Sequence, residues 1–295
     1  MHRFLRAVGF SQYTTRVKCR ELYDYVIKNS DNKEYVAGDE DTVHTEYHKS
    51  FGENMGLTVD MEYDKDGNGN INYCFPYLYG HGVSSEEDVS VERHTDKESY
   101  AGVCDDIKVG VVLIFYLQNS IPYLRCLKDN LLPFRGTTLT LSALSCQGTI
   151  MMPIAKNDVD KARVKKLSSN RNRLIASARS GNEEAIESLT LEDMDTYTTI
   201  SKKIHQEDVF TLVDTYFMPY GLECDLYSVL GEITSLQVVR NTYTDEEIYQ
   251  MTITCNELSF DLGINKLDLL GEPQIGRRFK GTIWMQGHVN FPESV

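Results

Sequence analysis

Residues 279–291 constrain this chain more than any other stretch, because apolar and polar positions alternate along their whole length. Phe279, Gly281, Ile283, Met285, Gly287, Val289 and Phe291 fall on one side of an extended backbone; Lys280, Thr282, Trp284, Gln286, His288 and Asn290 fall on the other. Such a period-two pattern predicts a strand with its apolar side on a core. At roughly 3.3 Å per residue it exceeds a usual strand, so Gly281 or Gly287 is expected to mark a bend or bulge that curls the sheet. Similar runs at 229–239, 248–254 and 258–264 supply neighbours, and the segment 222–295 reads as a small antiparallel, barrel-like or sandwich lobe.

Before it the period changes twice. Val17, Leu22, Tyr25 and Val26 follow helical spacing behind the candidate caps Thr14 and Thr15, which predicts a helix ending near Asn29. Leu57, Val59, Met61 and Tyr63 alternate, and runs at 109–117 and 137–144 read as buried strands. The segment 1–155 is thus a mixed α/β lobe. From 156 to 221 the stripe Val164, Leu167, Leu174, Ile175 and Ala178 predicts a helix closed by Gly181. Thr190 with Asp193 reads as a capping box, and Val209, Leu212, Val213 and Tyr216 as a last helix before Pro219 and Gly221. The fold class that follows is α+β, with a helical segment between two strand-containing lobes.

The net charge of −14 disfavours nucleic acid as a long-range partner. Between residues 31 and 106 there are 19 acidic and 5 basic side chains, so the imbalance is local. The polar stretch 84–99 inside this region reads as a long, solvated loop. Seven cysteines without a C-x-x-C pair fit reduced thiols, and the broken apolar run of the N-terminus does not resemble a secretory signal. A cytoplasmic protein without a membrane span is expected.

Four features are candidate sites. Residues 64–72 match the early oxygen ligands and turn glycine of a calcium loop, but Phe75 stands where a bidentate Glu is required, so a hairpin tip is the better reading. His44 and His48, four apart, would share one face of a helix and could hold a metal, with His81 or His94 as further ligands; Glu46 would point elsewhere. Neither metal nor cofactor is expected. Lys161, Arg163, Lys165, Lys166, Arg173 and Arg179 form a basic helix face that, with Arg277, Arg278 and Lys280, would suit a polyanion. The polar side of the C-terminal strand, Lys280, Thr282, Trp284, Gln286 and His288, offers an aromatic ring beside hydrogen-bonding groups for a ligand or partner. Phosphate-loop, dinucleotide, nucleophile-elbow and zinc-protease motifs are absent from the sequence.

The strings MHRFLRAVGF, VDTYFMPYGLECDLYSVLGEI and GRRFKGTIWMQGHVNF together resemble a family of uncharacterised bacterial proteins, a domain of unknown function. That resemblance implies a bacterial, cytoplasmic origin and carries no activity with it. The residues themselves point to a non-enzymatic binding or interaction protein that takes a protein or small-molecule partner on the Trp284 face. The alternatives are nucleic-acid or nucleotide binding through the basic helix, and a hydrolase or transferase with a site between the lobes.

Overall fold

The structure is a computed structural model that describes residues 2–38, 42–93, 99–106, 112–129, 136–154, 170, 173–175, 177–178, 180–191, 194, 213–221 and 225–291. Strands dominate it. Asn32–Ala37 (β1), Val43–Gly52 (β2), Met55–Tyr63 (β3) and Gly69–Leu78 (β4) form an antiparallel meander in chain order. His44 and His48 therefore lie on a strand, where their spacing places them with Glu46 on one face, not on a helix. Val43, Thr45 and Tyr47 supply the β-branched and aromatic alternation that selects extended backbone here.

The β3–β4 connection is the hairpin expected of its Gly/Asn composition. Asp64 Oδ1 accepts from the backbone N–H groups of Asp66 and Asn68, and Gly67 takes a φ of +83°. The Asn68 side-chain amide, which donates to Asp64 Oδ2, together with these backbone bonds lowers the Asp64 carboxyl below its ordinary value and occupies it within its own turn.

The second sheet holds the patterned C-terminal strand at its centre. Thr138–Met151 (β8), Leu226–Arg240 (β10), Glu247–Cys255 (β11), Leu258–Asn265 (β12) and Arg278–Asn290 (β14) close into a five-stranded barrel, because β14 pairs with both β10 and β8 while β12 pairs with β8. The β8–β12 pairing is parallel and the others are antiparallel. Since β8 precedes residue 155, the N-terminal segment supplies the meander and one barrel stave. Val89–Arg93 (β5), Tyr100–Cys104 (β6) and Leu113–Leu117 (β7) extend the sheet from β14, and the two-residue strand Leu269–Leu270 (β13) pairs with β8. The polar stretch is correspondingly less open than its composition suggests: β5 pairs with β6, and buried Ser85 donates to Asp106 at 2.6 Å. Residues 94–98 lie outside the described residues.

On β14 the apolar side behaves as the period-two reading requires. Phe279, Ile283, Met285 and Val289 join Leu141, Val229, Ile253 and Leu262 inside the barrel. The register slips between Gly281 and Ile283, which is the anticipated bend. Gly287 serves differently: a Cβ there would come within 2.3 Å of the Phe115 ring, so the missing side chain makes room for an aromatic one.

The other side of β14 is covered. The 3-10 helix Arg3–Val8 (η1) and helix Arg16–Lys28 (α1) pack with the meander and the polar side of the barrel into a second core containing Phe4, Leu22, Leu57, Phe75, Tyr116 and Trp284. Thr15 caps α1 by accepting from the Lys18 N–H, as expected. A second helix, Ser120–Lys128 (α2), follows β7 and was not apparent in the sequence; its Arg125 and Lys128 donate to the Tyr35 and Ala37 carbonyls of β1, the meander's edge strand.

The central segment departs from its sequence reading at two described points. Thr190 is inside a helical turn, its hydroxyl donating back to the Ile186 carbonyl, and Asn182 caps that turn through Ala185 instead. Tyr216–Pro219 (β9) is a strand on β10, not a helix end, because Phe217 is buried in the barrel core. Gly181 does end the preceding helical residues, at a φ of +87°. Lys161, Arg163, Lys165, Lys166 and Arg179 lie outside the described residues.

Candidate functional site

The residues singled out on β14 are not one surface. Trp284 is 4% exposed, stacked on Phe4 at 5.3 Å and close to Tyr116 at 5.1 Å, and its indole N–H donates to Asp225 Oδ2 at 2.6 Å. Gln286 is buried beside it and holds the Leu78 N–H and the Pro76 carbonyl. These two side chains are cement between layers, so they cannot meet a partner from outside; Lys280 and Thr282 are half-buried. The physical reason is that η1 and the meander cover this face, which period-two patterning does not reveal. His288, near the far end of the strand, lines an open cavity.

The basic set is divided as well. Arg278 is buried and donates to the carbonyls of Met152, Val213 and Asp214, stapling barrel to connecting segment. Half-buried Arg277 donates to the Glu272 carbonyl. Arg173 is exposed and donates to Asn170. The described members of this set do not form a single patch.

The cavity at His288 is built between the polar face of the meander and the α2 side of the barrel. Its volume is about 260 Å³, and Glu34, Glu46, His48, Tyr77, Tyr79, Gln118 and His288 are among its lining residues. The meander contributes a row of carboxylates: Glu34 on β1 pairs opposite Glu46 on β2, which pairs opposite Asp60 on β3. Directly opposed residues share a face, so three acids stand side by side. From the other wall, β7 runs into Gln118, Asn119 and Ser120 at the start of α2. The amide of Asn119 is satisfied by the backbone of Val289, which fixes this corner to β14.

Within this frame the polar groups of Glu46 and Gln118 are oriented unambiguously. Glu46 is 1% exposed; its Oε1 accepts from Ser120 Oγ at 2.6 Å and from Tyr73 Oη at 3.0 Å. Gln118 Nε2 donates to the Leu78 carbonyl, to Gln286 Oε1 and to Ser142 Oγ, so its Oε1 is turned the other way. His48 Nδ1 is bonded to Thr58 Oγ1 at 2.9 Å. That leaves Glu46 Oε2, His48 Nε2 and Gln118 Oε1 buried without a hydrogen-bond partner, and all three residues line the cavity.

Burial dominates the electrostatics. It pushes the Glu46 carboxyl up to about 8, against the Ser120 hydrogen bond and with help from Asp60. It pushes the imidazoles of His48 and His288 down. Glu46 Oε2 and His48 Nε2 stand 3.5 Å apart. Both groups are neutral at pH 7 by these shifts, so the contact is a carboxylic acid beside an imidazole and not an ion pair. Tyr79, pushed up to about 12 by burial, stacks near Tyr77 at 4.4 Å and near His288 at 6.4 Å.

A second cavity, of about 310 Å³, adjoins across Tyr79. There Asp261 Oδ2 accepts from the His81 backbone N–H and contacts His81 Nδ1 at 2.8 Å, while Asn54 lies 3.0 Å from Nε2. His81 is thus tied to the barrel, away from His44 and His48. Among the described residues no group of three or more His, Cys, Asp or Glu side chains has a metal-binding arrangement. No described helix is long and apolar enough to cross a membrane.

Sequence reasoning singled out His48 and His288 and missed Glu46 and Gln118. The signal for Glu46 was present: read as a strand, His44, Glu46 and His48 share a face, whereas the helical reading turned Glu46 away. Gln118 left the weaker mark of a polar Gln-Asn-Ser run directly after the apolar Leu113–Leu117 strand.

Comparison with known proteins gives one match: the family described as "Domain of unknown function, E. rectale Gene description (DUF3881)" covers residues 5–287. No curated protein and no solved structure matches.

Proposed function

The chain belongs to this bacterial family of domains of unknown function, the kind its three sequence strings resemble, and we propose that it binds a small polar molecule in the cavity between the meander and the barrel. The observation that carries the reading is that Glu46 Oε2, His48 Nε2 and Gln118 Oε1 are all buried without a hydrogen-bond partner and belong to three residues that line one cavity. A buried polar atom left without a bond costs about 1–3 kcal/mol, and a ligand supplying three partners recovers that cost on binding. The cavity lies just below the roughly 300–1,000 Å³ of drug-sized sites, which suits a small ligand. In this reading the polar side of the C-terminal strand contributes through His288, while Trp284 and Gln286 hold the wall behind it.

The test is ligand-observed NMR of the full chain against mixtures of amines, amides, sugars, nucleobases and organic acids. At least one class is expected to show saturation transfer that disappears in Asn32→Trp, since Asn32 is an exposed cavity-rim residue whose replacement blocks the mouth without touching the core. Absence of transfer from every class, or transfer unchanged in Asn32→Trp, defeats the reading.

A second reading, proton transfer to the bound molecule, is favoured by the carboxylic acid of Glu46 standing beside the neutral His48 imidazole. It predicts slow turnover of a bound compound that is lost in Glu46→Gln even at ligand concentrations that saturate the variant. Equal turnover in that variant excludes it.

A further inference from the structure

We propose that the molecule held between the meander and the barrel is a small organic cation, bearing an ammonium, amidinium or guanidinium group that donates to Glu46 Oε2 and Gln118 Oε1. The inference rests on the cavity reading above and narrows it to one chemical class. Its first support is hydrogen-bond polarity. The two N–H groups of Gln118 Nε2 are taken by the Leu78 carbonyl and Gln286 Oε1, with Ser142 Oγ a longer third contact, so the unbonded atom of this cavity-lining amide is its carbonyl oxygen. Glu46 lines the same cavity with its second oxygen unbonded, while Ser120 and Tyr73 serve the first. Gln118 Oε1 is an acceptor as it stands and Glu46 Oε2 becomes one when the carboxyl gives up its proton, so the pair calls for a ligand that donates.

The second support is charge. Asp31, Glu34 and Glu46 line the cavity and no described Lys or Arg does; Asp31 is paired with Lys49 at 2.6 Å, while no Lys or Arg among the described residues pairs with Glu34. Glu34, Glu46 and Asp60 are direct neighbours across three strands, and like charges in that arrangement repel unless a proton or a cation sits among them. An anion entering this wall meets the acidic side chains of Asp31 and Glu34 and no lining Lys or Arg to hold it. Aromatic side chains complete the site: Tyr77 and Tyr79 line the cavity, and an organic cation is attracted to such rings. The lack of a three-ligand arrangement among described residues points away from a metal ion as the occupant.

Occupation by a cation has a consequence for protons. The groups facing Glu46 are Glu34 on β1, His48 on β2, Asp60 on β3, Tyr73 on β4, Tyr116 on β7 and Ser120 on α2, with His288 of β14 across the cavity; none brings a fixed positive charge. Without ligand Glu46 keeps its proton up to about pH 8. With ligand the N–H of the cation replaces it, and the carboxyl proton goes to solvent. Binding below that pH therefore releases one proton and tightens about tenfold per pH unit.

Isothermal titration of the full chain with butylguanidine, butylamine, butylurea and butyrate tests this, since butylurea is the neutral isostere of butylguanidine. The expected result is binding by one of the two cations with release of close to one proton at pH 6.5, measured from heats in buffers of different ionisation enthalpy. Its dissociation constant should fall about tenfold from pH 6 to pH 7, and Glu46→Gln should weaken it at least tenfold. Butylurea or butyrate binding as tightly as the cations overturns the proposal, as does cation binding without proton release. If neither cation binds while another class binds in the NMR screen, this inference falls and the cavity reading stands. If no class binds, both fall.

Discussion

Glu46 on β2 stands directly opposite Glu34 on β1, and burial holds the Glu46 carboxyl protonated up to about pH 8. The folded state thus keeps a proton that the unfolded chain gives up near the ordinary value of 4.5. Because the folded value is raised, the contribution is favourable below pH 4.5 and is lost as pH rises to about 8.

Glu46→Gln copies the neutral acid and cannot ionise. Urea denaturation of wild type at pH 5, 6.5 and 8 is expected to show stability falling by at most about 1.4 kcal/mol per pH unit from this group, and the variant should lose that part of the slope. Parallel pH profiles for the two proteins would contradict the assignment.

The histidines of the cavity give a spectroscopic check. Burial lowers both His48 and His288, so their imidazole proton resonances, followed from pH 7.5 downwards, should titrate at a lower pH than those of a free imidazole. Movement of either resonance at the ordinary midpoint contradicts the burial described.

Trp284→Ala is a stability variant and not a surface variant. Removal of an indole stacked on Phe4 and bonded to Asp225 should cost about 3–5 kcal/mol and lower the urea midpoint accordingly. An unchanged midpoint would mean that the η1 cover is not in place.

Arg278→Met separates a structural arginine from an anion-binding one. The guanidinium holds three carbonyls of the segments around Met152 and Val213, and charged hydrogen bonds of this kind are worth about 1.5–3 kcal/mol. A loss of that size in urea denaturation is expected. Unchanged stability combined with weaker salt-dependent retention of DNA would restore the polyanion role.

How far the sequence could be read depended on whether a residue's role was local. The apolar side of β14, the α1 cap at Thr15 and the turn at Asp64 follow from spacing and turn chemistry, and all are present. The polar side of β14 does not, because its fate depends on η1, which lies at the opposite end of the chain. Arg278 and Gln286 look like surface residues for the same reason: the carbonyls that satisfy them belong to distant segments. The carboxylate row is the clearest case. Glu34, Glu46 and Asp60 are unremarkable among the acids of an acidic region until the meander's register sets them side by side.

The double pairing of β8, with β14 on one edge and β12 on the other, has a consequence for biosynthesis. Both partners emerge from the ribosome more than a hundred residues after β8 does, so the stave waits with two open hydrogen-bonding edges while the rest of the barrel is translated. Loop-closure entropy then makes the joining of these strands the slow event in folding, and the nascent chain is most exposed to strand-edge association during that interval.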